Sequence, residues 1–359
     1  METDQNRVKT PVILDCTLRD GSYVIDFQFT KEDTSKIAAS LCDSGFSYIE
    51  VGHGVGLGAS GKGFDIAAAT DEEYCIATSS VVKDKSKWGM FCIPGIASLD
   101  DLKMAIDYGM DFVRVGSDVH KVDDSLPFIE LAKKNGLEVF SNFMKSYVLS
   151  PRDFALLVNK SHNFGADGIY LVDSAGGMLP SQVRDFVRES FQLNPDFVLG
   201  FHGHNNLGLG MANALVCIEE GVKFIDSSLQ GFGRSAGNVP SEQLICMLDL
   251  LGLNDKFDPI KIMDLGENLI RPIITQRGLS SLDITAGWSQ FHSSFMPMVL
   301  KTALKERVDP RLLIYETCKL NKITSSPEQL KKIANSITSS GSVYSNLKNW
   351  PSYFGEEEL

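Results

Sequence analysis

Residues 198–230, VLGFHGHNNLGLGMANALVCIEEGVKFIDSSLQ, contain one complete copy of the pattern that decides the fold. The runs at 198–205 and 224–230 are apolar and too short for buried helices. Such runs are typical of strands buried on both faces of a parallel sheet. The segment 207–220 between them has helical periodicity, and it is followed by Gly221, the usual residue just past a helix. The stretch therefore predicts a strand–helix–strand unit.

The same alternation recurs through the first 250 residues or so of the chain. Further strand-like runs lie at 12–20, 46–54, 88–94, 112–116, 137–144 and 168–174. Helical periodicity is present at 30–44, 98–108, 125–135, 150–163, 180–193 and 240–251. Eight alternating units predict an α/β fold, a (β/α)8 TIM barrel over residues 10–255. The alternative is an open doubly wound sheet, for which eight successive units would be long.

The remainder of the chain predicts a helical extension and a tail. Residues 256–340 have helical periodicity and no further strand-like run. Residues 341–359 are polar and end in an acidic stretch at 356–358, so we expect this tail to be disordered.

Composition excludes several classes of protein. The 359 residues include 34 Lys and Arg against 46 Asp and Glu, and the net charge of −12 argues against a nucleic-acid partner. No apolar run is long enough to span a membrane, and residues 1–10 do not resemble a secretory signal. The chain has seven cysteines, an odd number, and no two of them form a C-x-x-C motif. Buried thiols in a reducing compartment are therefore expected, which predicts a cytoplasmic protein.

The candidate chemistry lies at the carboxyl ends of the strands, where barrels hold their active sites. His202 and His204 share one strand face, roughly 7 Å apart, and can converge on a metal ion. The alternative is a pair of histidines hydrogen-bonded to buried carbonyl groups. Asp20, at the end of strand 1, adds a carboxylate, and this donor set favours Mn²⁺ or Mg²⁺ over structural zinc.

Arg19 stands inside an apolar run, where a guanidinium requires an anionic partner. It could face a substrate carboxylate or a developing enolate oxygen, or it could form a structural ion pair with Glu50 or Asp173. The turn at 173–177 could hold a carboxylate through its backbone N–H groups and the Ser174 hydroxyl, or it could be a plain loop with a helix cap.

These strand ends together resemble the pyruvate-metabolising, metal-dependent TIM barrels. That superfamily includes 3-hydroxy-3-methylglutaryl-CoA lyase, 2-isopropylmalate synthase and 4-hydroxy-2-oxovalerate aldolase, and the sequence is most similar to the aldolases. The resemblance extends over residues 10–330. It is carried by residues 17–21, 173–177, 200–208 and 231–240, and for the aldolase branch by 50–58, 70–71, 270–272 and 293–295.

The resemblance implies a set of roles. Asp20, His202 and His204, completed by Asn238, would hold Mn²⁺ or Mg²⁺, with His202 also against the substrate. Arg19 would stabilise the enolate of pyruvate, and Ser174 would bind its carboxylate. The implied activity is that of an oxo-acid lyase: a class II pyruvate aldolase cleaving or forming a 4-hydroxy-2-keto acid through a metal-bound pyruvate enolate. Its substrates would be a small 2-keto acid and an aldehyde.

Three positions depart from the aldolase pattern. Tyr23 stands where the aldolases have His, and His292 stands where they have Tyr. We hypothesise that the pair is exchanged, with His292 from the C-terminal helices as the base and Tyr23 orienting the substrate hydroxyl. The alternative is that a metal-bound water is the base and His292 only packs. A glycine pair associated with a partner aldehyde dehydrogenase is absent around 323–326, which argues against that partner.

Two other functions stay open. A Claisen-type synthase joining an acyl-CoA to a 2-keto acid usually has Glu-Gln after the Arg-Asp-Gly motif, whereas Ser22-Tyr23 follows it here. An inactive barrel serving as an assembly module would have no physical need for two converging imidazoles. The sequence leaves a homodimer open.

Overall fold

The structure is a computed structural model that describes residues 9–82, 86–274 and 281–337. Eight parallel strands close into a barrel in chain order, with the first strand hydrogen-bonded to the last. The TIM barrel predicted from the sequence is therefore confirmed. The strands are β1 Val12–Asp15, β2 Tyr48–Val51, β3 Lys87–Cys92, β4 Phe112–Asp118, β5 Glu138–Met144, β6 Gly168–Asp173, β7 Leu199–Gly203 and β8 Phe224–Ser227.

A helix follows every strand of the barrel. Their bounds are α1 Lys31–Asp43, α2 Asp71–Ser79, α3 Leu99–Asp107, α4 Leu126–Lys134, α5 Pro151–Asn163, α6 Pro180–Leu193, α7 Gly210–Glu219 and α8 Ser241–Leu250. Several begin at the hydroxyl caps that their sequences predict, as at Thr30, Ser98 and Ser150. Gly221 ends α7 with φ of 88°, a conformation that favours glycine.

Helix α2 is absent from the sequence-based prediction. Its nine residues have little segregation of apolar from polar side chains, so periodicity gives a weak signal. The available signal is the capping box, in which the Thr70 hydroxyl accepts from the Glu73 N–H and the Glu73 carboxylate accepts from the Thr70 N–H.

Aromatic side chains fill the amino-terminal half of the barrel interior. The rings of Tyr48, Phe112, Phe140 and Phe224 have centroids 4.9 to 6.0 Å apart, mostly in tilted or edge-to-face pairs. Such pairs contribute about 0.5–1.5 kcal/mol each beyond the burial of their surface. This plug closes one end of the barrel, so the polar interior lies at the carboxyl ends of the strands.

Those carboxyl ends leave the sheet earlier than predicted. The first predicted strand extends to residue 20, whereas β1 ends at Asp15 and residues Asp20–Ile25 form a 3-10 turn. Similarly, β8 ends at Ser227 and is followed by a short 3-10 turn, Leu229–Gly231. The polar residues of these segments bend over the barrel mouth and do not continue the ladder.

Among the described residues, five α-helices follow the barrel: α9 Pro259–Leu265, α10 Ser281–Ser289, α11 Met296–Glu306, α12 Pro310–Leu320 and α13 Pro327–Ser336. Helices α10–α13 share their own apolar cluster. They contact the barrel mouth, where the Asn206 amide donates to the backbone oxygen of Asp283 and the Lys145 ammonium to that of Ile323. The predicted division at residue 255 stays a prediction, and the predicted tail at 341–359 lies outside the described residues. Within the described ranges no helix is long and apolar enough to cross a membrane.

Candidate metal centre

Asp20, His202 and His204 meet at the barrel mouth. His202 lies in β7, His204 follows it directly, and Asp20 begins the 3-10 turn after β1. One potential ligand atom from each residue lies within 4.8 Å of the others, and all three residues are buried. The two imidazoles are 5.2 Å apart between centroids and nearly perpendicular. The structure therefore brings together the three residues that the sequence proposed as ligands.

The His202 ring is oriented by a carboxylate that binds its Nδ1 atom. Its Nδ1 lies 2.8 Å from Asp226 Oδ2 at the end of β8, and Arg114 Nη2 donates to the same carboxylate oxygen. With Nδ1 held by a carboxylate, Nε2 is the atom left to face the site. A carboxylate behind an imidazole is the arrangement that fixes the tautomer of a histidine ligand.

His204 lacks such support. Its Nδ1 is buried and has no hydrogen-bond partner among the described residues. Burial lowers the pKa of His204 to about 3, despite the nearby Asp20 carboxylate. The ring is therefore neutral near pH 7, with a lone pair available for a ligand.

Asp20 is held by two neighbours. Arg19 Nη1 donates to Oδ1 at 2.6 Å, and Asn238 Nδ2 donates to Oδ2 at 2.7 Å. Burial opposes ionisation, but the positive groups around the carboxylate, Arg19 foremost, outweigh it and hold the pKa of Asp20 far below its ordinary value. Asn238 Oδ1 is buried and has no hydrogen-bond partner within the described ranges.

Gly233 makes room for this arrangement. A Cβ atom there would lie 2.4 Å from Asn238 Nδ2 and 2.8 Å from Asp20 Oδ2. Real Cβ atoms do not approach other atoms so closely, so a larger residue would displace the site.

A buried ion-pair network supports the centre, and sequence reasoning missed most of it. Glu50 Oε2 accepts from Arg19 Nε at 2.8 Å and from Arg114 Nη1 at 2.9 Å. Arg114 in turn pairs with Asp226, which holds His202. The signal for Arg114 was available, because it stands in an apolar run of β4 as Arg19 does in its own. The network has two guanidiniums against three carboxylates, a net charge of −1.

Arg19 has the ion pair that its alternative interpretation predicted, with Glu50 as the partner. Asp173 does not take part. Its carboxylate accepts from the N–H groups of Gly177 and Met178, and burial raises its pKa to about 6 against these hydrogen bonds. Arg19 nonetheless lines the cavity at the centre, beside Ser174. Because carboxylates bind its Nε and Nη1 atoms, the orientation of the guanidinium is fixed.

One of the two expectations for the turn at 173–177 is a carboxylate held by its backbone N–H groups and the Ser174 hydroxyl, and the structure leaves only part of this set available. The N–H groups of Gly176 and Gly177 donate to Asp173, so they are not available to a substrate carboxylate. The Ser174 hydroxyl is available, because Oγ accepts from the Lys145 N–H at 3.1 Å and keeps its own proton to donate. Ser174 lines the same small cavity as Asp20, His202 and His204, with a volume of about 30 Å³.

Tyr23 and His292 are both buried at this mouth, and Arg234 lies against both. The Arg234 guanidinium is 5.3 Å from the centroid of the Tyr23 ring, and its Nη2 is 3.3 Å from His292 Nε2. Sequence reasoning gave Arg234 no role. Burial, and then the charges of Arg234 and Lys145, lower the pKa of His292 well below its ordinary value. Both effects favour the neutral form of the ring.

The donor set fits a divalent cation. It offers two imidazoles and one carboxylate beside a network with net negative charge. Nitrogen and oxygen donors of this kind suit divalent metals that keep open positions for substrate. The orphaned His204 Nδ1 and Asn238 Oδ1 atoms are the observations that favour a missing partner.

Comparison with known proteins places the chain in context. A model of the HMGL-like family matches residues 10–269. The 4-hydroxy-2-oxovalerate aldolase of Carboxydothermus hydrogenoformans is 35% identical over 331 residues, covering 91% of this chain and 97% of that protein. The 4-hydroxy-2-oxovalerate aldolase 2 of Nocardia farcinica is 36% identical over 332 residues, covering 92% of this chain and 95% of that protein.

Solved structures share the fold. The carboxyl transferase domain of Rhizobium etli pyruvate carboxylase matches with a TM-score of 0.74 at 14% identity, covering 93% of this chain and 61% of that chain. The N-terminal domain of a putative aldolase from Bacteroides vulgatus matches with a TM-score of 0.67 at 24% identity, covering 78% and 93%. At these identities the likeness concerns the fold alone.

Proposed function

The chain belongs to the HMGL-like family, and on that premise we propose that it is a carbon–carbon lyase, a divalent-metal-dependent pyruvate aldolase. It would cleave or form a 4-hydroxy-2-keto acid. The observation that carries the proposal is the buried meeting of Asp20, His202 and His204 in one cavity with Arg19 and Ser174. The relatives named as aldolases support the same reaction class.

Asp20, His202 and His204 would hold Mn²⁺ or Mg²⁺, and the Asn238 amide oxygen would complete the set. The net charge of −1 on the supporting network suits a dication. When bound, the ion would supply Lewis-acid polarisation of the substrate's 2-keto oxygen.

Ser174 and Arg19 would orient the keto acid. The Ser174 hydroxyl donates to the substrate carboxylate, since its oxygen already accepts from the Lys145 N–H. Arg19, aimed by Glu50, donates to the 2-oxo oxygen as that atom gains charge. A donor fixed in advance stabilises the developing enolate more than the ketone, which lowers the barrier to cleavage of the C3–C4 bond.

Proton transfer at the 4-hydroxyl would involve His292 and Tyr23. A ring proton on Nδ1 would donate to Ser294 Oγ at 2.7 Å and give up the 3.3 Å hydrogen bond from the Ser294 N–H, which leaves Nε2 to accept from Arg234. Nε2 is then the basic atom, and it takes the hydroxyl proton once substrate draws the guanidinium aside. Tyr23, across the same guanidinium, would orient the hydroxyl.

Exchange of the pyruvate methyl protons tests this proposal. Purified protein loaded with Mn²⁺ should exchange them for deuterium in D₂O, followed by NMR, and dialysis against a chelator should abolish the exchange. His202→Ala should lower metal occupancy, measured by elemental analysis. Absence of exchange at every metal loading would favour a Claisen-type synthase or an inactive barrel, and full exchange in metal-free protein would refute the proposed centre.

Two further expectations accompany the function. All seven cysteines are free thiols, six of them buried, which supports a reducing, cytoplasmic environment. A small 2-keto acid and an aldehyde are the expected substrates. A dehydrogenase partner is not expected, and a homodimer stays open.

A further inference from the structure

Arg234 lines the cavity, and the proposed chemistry does not name the substrate group that it contacts. Its backbone N–H lies 3.3 Å from Asp20 Oδ2, which places the residue beside the metal centre. Its side chain is buried, lines the cavity and passes over the Tyr23 ring to reach His292. The guanidinium thus lies on the side of the cavity where proton transfer to the 4-hydroxyl is proposed.

The loop that carries Arg234 is fixed on both sides. Ser235, with φ of 58°, donates from Oγ to Asp283 Oδ1 and accepts from the Asn206 amide. Asp283 belongs to α10, so the loop is held between the barrel and the C-terminal helices. A guanidinium on such a support is positioned before substrate arrives, which reduces the entropy lost on binding.

The charge of the site supports an anionic ligand on this side. Arg19 and Arg234 both line the cavity, and both side chains are buried. A ligand in the cavity therefore meets two guanidiniums, which suits a ligand with two anionic groups.

Resting on the aldolase function proposed above, we propose that Arg234 binds a second anionic group on the aldehyde portion of the substrate. The preferred substrates would be short 4-hydroxy-2-keto acids with an additional carboxylate or phosphate. Arg234 is then a specificity-determining residue. The planar fork of arginine suits either group.

Equilibrium binding tests the proposal without catalysis. The probes are 2-oxoglutarate and 2-oxopentanoate, which have the same chain length and no 4-hydroxyl to be cleaved, titrated calorimetrically into the Mn²⁺-loaded protein. A charge-assisted hydrogen bond predicts about 10- to 100-fold tighter binding of the diacid. Arg234→Met should remove most of that ratio, and Arg234→Lys should keep part of it. Arg152→Met, on the barrel exterior where Arg152 pairs with Glu189, should keep all of it.

Equal affinities for the two acids would overturn the proposal. A preference for the diacid that persists in a folded Arg234→Met protein would also overturn the proposal, because another cation would then bind the second anionic group.

Substrate selectivity gives the second readout. The parent should condense pyruvate with glyoxylate or a phosphorylated aldehyde at least tenfold more efficiently in kcat/KM than with acetaldehyde, and the two anionic arms distinguish carboxylate from phosphate. If the parent exchanges the pyruvate methyl protons but prefers acetaldehyde, the inference fails while the aldolase function stands. If it does not exchange those protons at any metal loading, both fail.

Discussion

Asp226 has two effects on the proposed metal centre: it orients His202 through a hydrogen bond, and it contributes a negative charge. Two variants can measure these effects separately. Asp226→Asn neutralises the carboxylate that lies 2.8 Å from His202 Nδ1 and pairs with Arg114. Glu50→Gln neutralises the other carboxylate paired with Arg114, but Glu50 does not touch His202. The two variants therefore remove the same charge from the same network.

The two variants are expected to differ in metal affinity, and both are expected to lower the free energy of unfolding. Loss of the partner that orients a histidine ligand typically weakens metal binding about 10- to 100-fold, or about 1.4–2.8 kcal/mol. Asp226→Asn should show this loss, and Glu50→Gln should show only the smaller effect of lost negative charge. Breaking a buried ion pair destabilises a protein by about 3–5 kcal/mol. We expect about 3 kcal/mol for Asp226→Asn, because Arg114 keeps the Glu50 carboxylate, and a larger loss for Glu50→Gln, because Arg19 and Arg114 both lose a partner.

Competition of Mn²⁺ between the protein and a chelator measures the affinity, and urea unfolding of the metal-free protein measures the stability. Equal losses of metal affinity in the two variants would refute the orienting role of Asp226. An Asp226→Asn protein with parental affinity would show that His202 is not a ligand whose tautomer matters.

Four other predictions concern single residues. Arg19→Lys should lower kcat about 10²- to 10³-fold with a small change in KM, because a point charge replaces the aimed fork, and a near-parental kcat would assign Arg19 to structure alone. The lowered pKa of His292 keeps its ring neutral, so cleavage should not fall between pH 8 and pH 6; a pH–rate profile with an acid limb near 6.5 would contradict this. His292→Asn should lose cleavage yet retain some methyl exchange, and parental cleavage would place the base elsewhere. Gly233→Ala should reduce Mn²⁺ affinity at least tenfold, since its Cβ would clash with Asn238 and Asp20, and unchanged affinity would show that the loop adapts.

The sequence by itself determined the barrel and one edge of the site. Strand and helix periods are local properties, and alternation over eight units leaves few ways to bury both faces of every strand. Because the carboxyl ends of parallel strands meet at one end of a barrel, Asp20 could be placed near His202 and His204 without a structure. Helix α2 was not predicted because its apolar residues do not lie on one face, although the capping box at Thr70 is visible in the sequence.

Only the tertiary structure decided which charges share a partner. Glu50, Arg114 and Asp226 come from β2, β4 and β8, which are not neighbours in the sheet, and they meet because the barrel closes around them. Arg234 meets His292 only because the C-terminal helices pack over the barrel mouth. Local patterns report which face of an element is buried. They carry no information on which side chains cross the interior to meet, since closure, register and the docking of distant helices set those distances.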